Sequence, residues 1–489
     1  MSVTIADTGV FLRPDVTRVV SRLFVPGREA VVAPGASRAA PVIERVLQLS
    51  ADEVDAAMTD LDRRFAHRHR DFHATLREHA AMVMSRIDSG VELSTPRQLL
   101  LGATFTHEYA IEGAALCNPS AVLAPVQDGS GDAAFVMSVR GIGEGHRSSI
   151  GFRTGVVTAD GHVSIGPSGP FPQTALPTPG LNSRAAFRAR LAELDNDDEI
   201  AAYVLDAMAP SFNDADLEAH IEALLADGAT RSNLSVTIAN LRRLASGSYR
   251  VTFPIETDLS ERVLWPHAPA ERQGMEDARF VRFVRDDGVV CYYGTYTAFD
   301  GVNVAQHLVE TTDFLSFTAS PMAGLAASDK GLALFPRKVG GRYVALSRSD
   351  RENNAIAFSD TLLCWTESRP LHIPSQAWEI LQVGNCGSPI ETEAGWLVLT
   401  HGVGPMRTYS LGAILLDLEE PSRVIAHTAE PILGPQDNRR DGYVPNVVYS
   451  CGAFAHGDTL VLPYGISDQA IAIGTLSIAA LIASMCPES

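Results

Sequence analysis

The sequence is poor in cysteine, and its six cysteines are scattered, with no C-x-x-C pair and no spacing typical of a metal site. The N-terminus, MSVTIADTGVFLRPD, lacks the basic and apolar regions of a signal peptide. No apolar run reaches the length that spans a membrane. These absences predict a soluble, cytoplasmic protein with reduced thiols, and they indicate no metal or cofactor.

Positive charge is also scarce. The chain has 39 Lys and Arg against 58 Asp and Glu, a formal net charge of −19. No basic stripe is present, so nucleic acids and anionic membranes are excluded as expected partners. An acidic chain favours a neutral or cationic small ligand, or an anion held in a local basic pocket.

The length of 489 residues favours one main domain with additions. Ser50 and Glu53 fit a capping box at the start of a helical pattern that runs to residue 88. A second helical block covers about 183–230, and the rest has the pattern of short strands. We therefore expect a helical N-terminal extension over residues 1–95 and a catalytic domain over 96–489 that carries a helical insertion.

A short apolar strand recurs five times in the strand-rich part, each time ending in one polar or aromatic residue before a turn. The copies are FVMSVRGIGE at 135, YYGTYTAFDG at 292, YVALSRSDRE at 343, WLVLTHGVG at 396 and LVLPYGISD at 460. From the second copy onward they lie roughly 50–65 residues apart, the scale of a four-stranded propeller blade. This predicts a mainly β chain folded as a five-bladed β-propeller, with the repeated strand innermost in each blade.

Inner strands of a propeller face one central channel, so their last residues could share one pocket. Those residues are Arg140, Thr297, Arg348, His401 and Tyr464. A simpler interpretation is that they close ordinary edge strands.

The stretch RQGMEDARF places Glu276 and Asp277 side by side, with Arg279 two residues further on. Adjacent residues of an extended segment point to opposite sides, so we expect one carboxylate to face the pocket and the other to hold the loop. A carboxylic acid that protonates a leaving oxygen is what glycosidic bond cleavage requires. A plain surface loop would have the same composition.

From about residue 100 to 480 the chain resembles glycoside hydrolase family 130, the five-bladed propellers that act on β-mannosides. The resemblance rests on ordered landmarks spread over several blades. They are CNPS at 117, GMEDARF at 274, ALFPRKVGGRYVALSR at 333, GNCGSPIETEAGWLVLTHGVG at 384, DGYVPNVVYSCGAF at 441 and LPYGISDQAIAIGTL at 462. The helical N-terminus lies outside the shared core.

The resemblance implies that Asp277 is the general acid of a single inverting displacement, protonating the glycosidic oxygen through a hydroxyl of the bound mannose. It also implies positions that hold the sugar. We predict as substrate-binding residues Asn118, Arg140, Glu276, Arg279, His401 and Tyr464, with Asp441 at a further pocket position.

Two positions depart from the family pattern. Ala278 replaces the usual proline after the acid, and Gln382 stands where phosphorylases of the family have a lysine. Arg337 and Arg348 remain as candidate phosphate ligands. Loss of one cation weakens phosphate binding by about 1.5–3 kcal/mol, which favours water as the nucleophile.

If water attacks, a second carboxylate must act as the base, roughly 6.5–9.5 Å from the acid. Our candidates are Asp441 and Glu352, with Glu108 and Glu112 as further options.

Together these observations predict an inverting glycoside hydrolase that acts on β-linked mannosides, with a preference for a β-1,2-mannosidase taken from the resemblance. One alternative is a β-mannoside phosphorylase that uses inorganic phosphate as co-substrate and releases mannose 1-phosphate. An alternative of another class is a non-catalytic carbohydrate-binding propeller. The expected partner is a small oligosaccharide. The amphipathic helices of the extension suit either a cap over the pocket or a homo-oligomer contact.

Overall fold

The computed structural model describes residues 5–24, 39–84, 92–227 and 234–488, and the prediction of a mainly β chain is confirmed. The chain separates into two compact units. The larger comprises Met1–Pro14, Glu112–Ser168 and Thr174–Ser489, and the smaller comprises Asp15–Ile111 and Gly169–Gln173. The division at residue 95 stays a prediction.

Most strands described in the larger unit form five successive groups of four, with antiparallel neighbours inside each group. Group one contains Ala115–Leu123, Ala133–Ile142, Ser148–Val157 and Val163–Ile165. Group two contains Gly274–Val284, Val290–Phe299, Val304–Thr311 and Ser316–Pro321. Group three contains Ala333–Leu334, Tyr343–Ser347, Asn354–Ser359 and Ser368–His372. Group four contains Gln382–Asn385, Gly395–Gly404, Thr408–Leu416 and Val424–His427. Group five contains Val448–Tyr449, Thr459–Ile466, Ala470–Ser477 and, from the N-terminus, Ala6–Leu12.

Shorter strands complete these sheets. Tyr249–Thr252 and Thr178–Pro179 extend group two, and Val263–Leu264 pairs with group one. Ile390–Thr392 and Cys486–Pro487 belong to group four, and Phe454–His456 belongs to group five. Two separate two-stranded sheets are formed by Val19–Leu23 with Thr106–Ala110 and by Asn182–Ser183 with Ser211–Phe212. A single parallel bridge, Gly274 to Ser148, joins groups one and two.

Buried apolar clusters lie between successive groups, and a further cluster joins group five to group one. Members from the two sides of each junction are Phe152 and Phe280, Phe283 and Ala345, Val344 and Trp396, Leu397 and Leu460, and Val461 and Phe135. Adjacent residues such as Trp396 and Leu397 belong to different clusters because neighbouring strand residues face opposite sides of a sheet. The groups therefore pack in a closed cycle.

We had predicted that the strand that recurs in the sequence is the innermost of each blade. This was wrong, because the recurring strand is the second of each group. Each copy lies between an earlier and a later strand; Ala133–Ile142, for example, pairs with Ala115–Leu123 on one side and Ser148–Val157 on the other. A strand paired on both edges and packed on both faces is apolar almost throughout, as the fully buried Gly395–Gly404 illustrates. This explains why the second strands give the clearest signal in the sequence.

Helices lie in the N-terminal part, in an insertion between groups one and two, and at the C-terminus. Their bounds are Ala39–Gln48, Ala51–Phe65, Phe72–Met84, Thr95–Thr104, Arg184–Glu193, Glu199–Asp206, Asp214–Ala226, Leu234–Ala245 and Ile478–Ser484. The capping box of Ser50 and Glu53 is confirmed. The helix predicted to run to residue 88 is interrupted at Ala66–Arg68, where Arg68 and His69 bind the Glu108 carboxylate, and residues 85–88 lie outside the described residues.

No helix in the described part of the chain combines the length and apolar character needed to cross a membrane.

Candidate active site

The motif that carries Asp277 lies on the first strand of group two, where the pairing is irregular. Glu276 pairs with Thr297 and Arg279 pairs with Thr295, so two residues on this strand face one on its partner. Asp277 accordingly has a positive φ of 54°. A residue held there costs about 1–3 kcal/mol of backbone strain, although aspartate tolerates it better than most residues.

The bulge overturns the expectation that Glu276 and Asp277 face opposite sides. One Arg140 guanidinium binds both: Nη1 donates to Asp277 Oδ1 at 2.9 Å and Nη2 to Glu276 Oε1 at 2.6 Å. Lys330 Nζ donates to the other Glu276 oxygen at 2.7 Å. The two carboxylates thus share one pocket with two cations.

Arg279 connects this pocket to group five. It is 2% exposed, and its guanidinium donates to the Asp277 carbonyl at 2.9 Å and to the Tyr449 hydroxyl at 2.8 Å. We call Arg140, Glu276, Asp277, Arg279, Lys330 and Tyr449 the Asp277 cluster.

Burial raises the pKa of Asp277, but the nearby cations Arg140, Lys330 and Arg279 together outweigh burial and leave the pKa below its usual value. In these surroundings Asp277 is therefore ionised at neutral pH. Any added negative charge in the pocket would raise the pKa of Asp277 again.

Asn118 lies at a second irregularity of the same kind, on the strand that pairs with the one carrying Arg140. The pairing of its strand shifts between Cys117 and Ser120, and Asn118 has a φ of 49°. Its side-chain oxygen is buried and has no hydrogen-bond partner among the described residues. Such an oxygen is a ready acceptor for a ligand hydroxyl.

Arg348 and His401 form an inner pair beside the cluster. The His401 ring lies 4.8 Å from the Tyr449 ring, and Arg348 Nη1 lies 2.9 Å from His401 Nε2. Burial first, and then the charges of Arg348 and Arg279, hold the pKa of His401 well below its usual value. The imidazole is therefore neutral, and its Nε2 accepts a hydrogen bond from the Arg348 guanidinium.

The inner pair depends on Gly384. A Cβ at this position would lie 2.7 Å from the His401 ring and 2.9 Å from the Arg348 side chain. Gln382, two residues earlier on the same strand, points to the same face. Gln382, where the family resemblance implies a lysine in phosphorylases, therefore lies on the same face of this strand as Gly384.

Arg348 forms no ion pair with a carboxylate in the part of the chain that the structure describes. Its charge is only partly screened, because the side chain is half-buried and, among the described residues, its hydrogen-bond partner is the neutral His401. A half-buried, unneutralised guanidinium is a favourable site for an anion.

Asp468 is a carboxylate that we did not single out from the sequence. Burial raises its pKa to about 6, and the Asp277 charge adds to this effect, while Arg140 and Arg407 oppose it. It follows the second strand of group five in a turn where Ser467 and Asp468 have φ values of 50° and 49°.

Lys330 and Tyr449 were also missed, although both lie in or beside the motifs we quoted. Lys330 precedes ALFPRK, and Tyr449 ends VPNVVY. The sequence marked these stretches, but only the pairing of the strands shows which of their side chains reach Asp277.

Several predicted site residues lie elsewhere. Arg337 binds the Glu391 carboxylate and lies over the Trp396 ring at 4.9 Å, forming an outer pair with Glu391. Trp396 is five residues from His401 on one strand, which is about 17 Å at the usual strand rise. Arg337 is thus not brought to the inner pair.

Tyr464 faces away from the cluster. Its neighbour Gly465 pairs with Tyr449, and a Cβ on Gly465 would lie 3.5 Å from the Asn118 backbone nitrogen. Adjacent strand residues face opposite sides, so Tyr464 packs into the apolar core with Leu397. The sequence alignment of the five repeats was therefore wrong by one residue at this strand.

The carboxylates predicted as candidate bases have contacts or exposure of their own. Glu352 is exposed, and Asp441 is exposed at the edge of a separate cavity. Glu108 binds Arg68 and His69, and the buried Glu112 binds Arg153 at 2.6 Å. Asp468 is the carboxylate that the structure places near Asp277 instead.

No group of three or more His, Cys, Asp or Glu among the described residues could hold a metal ion.

Comparison with known proteins identifies the family. Residues 229–486, more than half of the chain, match the glycoside hydrolase family 130 profile described as β-1,4-mannooligosaccharide phosphorylase. The chain therefore belongs to glycoside hydrolase family 130, the β-mannoside phosphorylase family.

Individual relatives are similar over a little less than half of the chain. A 1,2-β-oligomannan phosphorylase of a Thermoanaerobacter strain is 37% identical over 225 residues, 45% of this chain and 73% of that protein. A β-1,2-mannobiose phosphorylase of Listeria innocua is 35% identical over 216 residues, 43% of this chain and 59% of that protein. A solved β-1,2-mannobiose phosphorylase from Listeria innocua, in complex with β-1,2-mannobiose, has a TM-score of 0.45 at 24% identity, covering 77% of this chain and 93% of that one.

Proposed function

We propose that the chain is an enzyme that cleaves β-1,2-linked mannosides with inorganic phosphate and releases mannose 1-phosphate. This reverses our sequence-based preference for hydrolysis. The observation that carries it is Arg348, a half-buried guanidinium that has no carboxylate partner in the described chain and binds His401, whose ring lies 4.8 Å from the Tyr449 ring of the Asp277 cluster. The named relatives above, which are phosphorylases of β-1,2-mannosides, support the same choice.

We further propose that the larger unit is a five-bladed β-propeller. Five groups of antiparallel strands follow one another in the described chain, and apolar clusters join each to the next and the last to the first. A cycle of this kind is the packing expected of propeller blades. The first strands of groups one, two and five carry Asn118, Asp277 and Tyr449, which accounts for their meeting in one site.

In the proposed reaction a phosphate oxygen forms a bond to the anomeric carbon while the bond from that carbon to the leaving sugar breaks, with inversion. Asp277 supplies the proton that the leaving oxygen takes up, relayed through a mannose hydroxyl as the family resemblance implies. Because the nearby cations hold the pKa of Asp277 low, the acid must gain its proton when the substrates bind. Phosphate brings negative charge into the pocket, which favours this proton uptake.

The remaining cluster residues suit positioning of the sugar. The Asn118 side-chain oxygen is buried without a partner among the described residues and can accept from a hydroxyl. Arg140 holds both carboxylates of the motif in place. We propose that Glu276 and Arg279 fix the Asp277 bulge. Arg279 donates a hydrogen bond to the Asp277 carbonyl, and Glu276 binds the same Arg140 guanidinium as Asp277.

Hydrolysis is the second candidate, and Gln382 is the observation that favours it. Its uncharged side chain lies on the same strand face as Gly384, where the family resemblance implies a lysine in phosphorylases, which leaves phosphate with one cation fewer. In that reaction Asp468 is our candidate for the base that accepts a proton from water, because its pKa of about 6 lies near neutral pH.

Product analysis tests these functions directly. The purified protein is incubated with β-1,2-mannobiose, with and without inorganic phosphate. Mannose 1-phosphate formed only with phosphate is the expected result, whereas free mannose in equal yield under both conditions would establish hydrolysis. Binding of the disaccharide without any cleavage would favour the non-catalytic carbohydrate-binding alternative.

A further inference from the structure

We propose that a second cavity of the larger unit, distinct from the Asp277 cluster, binds a neutral oligosaccharide. The cavity measures about 440 Å³, within the range of small-molecule sites. Its lining includes one aromatic ring and five long or polar side chains from three separate segments, namely Phe11, Arg13, Asn438, Arg439, Asp441 and Gln469. We call it the group-five cavity.

The charges of this cavity compensate each other. Arg13 and Arg439 carry positive charge, Asp441 is a lining carboxylate, and Asp7 lies 3.7 Å from the Arg439 guanidinium. Two positive and two negative groups produce no net field that would hold phosphate or another anion, and the chain as a whole has a charge of −19. The occupant is therefore neutral.

The polar groups suit a ligand with many hydroxyls. Guanidinium groups donate only, a carboxylate accepts only, and the amides of Asn438 and Gln469 do both. A hydroxyl both donates and accepts, so neighbouring hydroxyls of a sugar can use all of these groups at once. A lipid or an apolar peptide would leave them unpaired at a cost for each group.

Phe11 provides the aromatic component. It is 39% exposed, and the guanidinium carbons of Arg13 and Arg439 lie 5.4 and 5.5 Å from its ring centroid. The ring thus holds the two arginines near one another at the cavity and offers its remaining surface to the carbon-bound hydrogens of a sugar ring. Polar groups around one aromatic ring are a common composition of ligand sites.

The cavity adjoins the turn that carries Asp468. Gln469 lines the cavity, whereas the preceding Asp468 interacts electrostatically with Asp277 and Arg140. A saccharide in the cavity would therefore contact the same turn that contributes a carboxylate to the active site. This also gives Asp441, first predicted as a base, a different use.

Binding is tested with the full-length Asp277→Asn protein, which is not expected to turn substrate over. We would titrate it calorimetrically with β-1,2-mannotetraose and follow hydrogen exchange of peptides that cover residues 436–441 and 466–470. We expect two sites, with slowed exchange in both peptides. The double variant Arg13→Ala/Asp441→Ala in the same background should weaken the second site by about tenfold or more and leave the first unchanged. Both residues are exposed, so folding should be kept, and circular dichroism checks this.

The choice of a mannoside as probe rests on the proposed function, so cellotetraose and mannose 1-phosphate are tested in parallel. Slowed exchange with either neutral tetrasaccharide supports the site. Unchanged exchange of both peptides with both tetrasaccharides, slowed exchange that the double variant keeps, or slowed exchange with mannose 1-phosphate alone would overturn the inference. Cleavage of mannobiose by the wild-type protein is measured separately, so that a failure of the proposed function leaves the binding result interpretable.

Discussion

Arg348 and Arg337 are close in sequence, and the family resemblance assigned both to phosphate, yet the structure gives them opposite surroundings. Arg337 is 42% exposed and neutralised by Glu391 in the outer pair. Arg348 is half-buried and donates to a neutral imidazole in the inner pair. The comparison teaches that a motif supplies the residue type, whereas the neighbouring carboxylates decide whether its charge is available to a ligand.

The same contrast between inner and outer charges applies to the acids, and here we expect the largest effect. Asp277→Asn removes the proton donor but keeps the shape of the side chain, so kcat should fall by about 10²–10⁴-fold. Asp286→Asn is the matched outer control, because Asp286 pairs with Lys338 at the surface. Turnover of β-1,2-mannobiose is measured for both with folding checked by circular dichroism. Full activity of Asp277→Asn would show that the chemistry lies elsewhere.

The two arginines can be compared directly by replacing each with methionine. We expect Arg348→Met to raise the KM for phosphate by about 10–150-fold, which corresponds to about 1.5–3 kcal/mol for a hydrogen bond to a charged group. Arg337→Met should leave this KM unchanged, since a surface ion pair contributes about 0–1 kcal/mol, and to stability only. Initial rates at varied phosphate decide between them. Equal effects of the two substitutions would break the distinction between inner and outer pair.

The sequence allowed the mainly β class and the family to be predicted, because apolar second strands and motif residues leave direct traces. It did not allow the placement of Arg337, Tyr464 or Asp441 to be predicted. Tyr464 shows the reason: a one-residue difference in register exchanges the faces of a strand, and no local pattern fixes that register.

The two bulges are a second reason. The first strands carry Asn118 and Asp277 at positive φ, so these segments lack the alternation by which strands are recognised. Glu276 and Asp277 consequently bind one arginine although adjacent residues were expected to diverge. Functional positions are where local rules are most often broken, and the first strands of groups one and two fit that expectation.

Gln382 offers a way to sharpen the inner pair without disrupting it. Gln382→Lys adds a cation on the face that Arg348 and His401 occupy, so we expect the KM for phosphate to fall by roughly 3–10-fold. Glu391→Gln, which leaves the outer Arg337 unneutralised, is the matched control and should not alter this KM. If Gln382→Lys left phosphate dependence unchanged, residue 382 would have no part in anion binding, and our argument for hydrolysis as second candidate would lose its support.

The smallest expected effect concerns the pKa of Asp277. Lys330 is one of the cations that lower the pKa of Asp277, so Lys330→Met should raise that pKa. Because kcat requires protonated Asp277 in the substrate complex, the decline of kcat with rising pH should move to higher pH. The shift should be about one pH unit or less, since the lysine side chain is 35% exposed and screened by solvent. Lys338→Met, which breaks an outer pair with Asp286, serves as the control. A profile that moved to lower pH would show that Lys330 does not lower the pKa of Asp277. Equal movement in both variants would show that the inner and outer lysines act on Asp277 alike. In either case the low pKa would need a source other than this lysine.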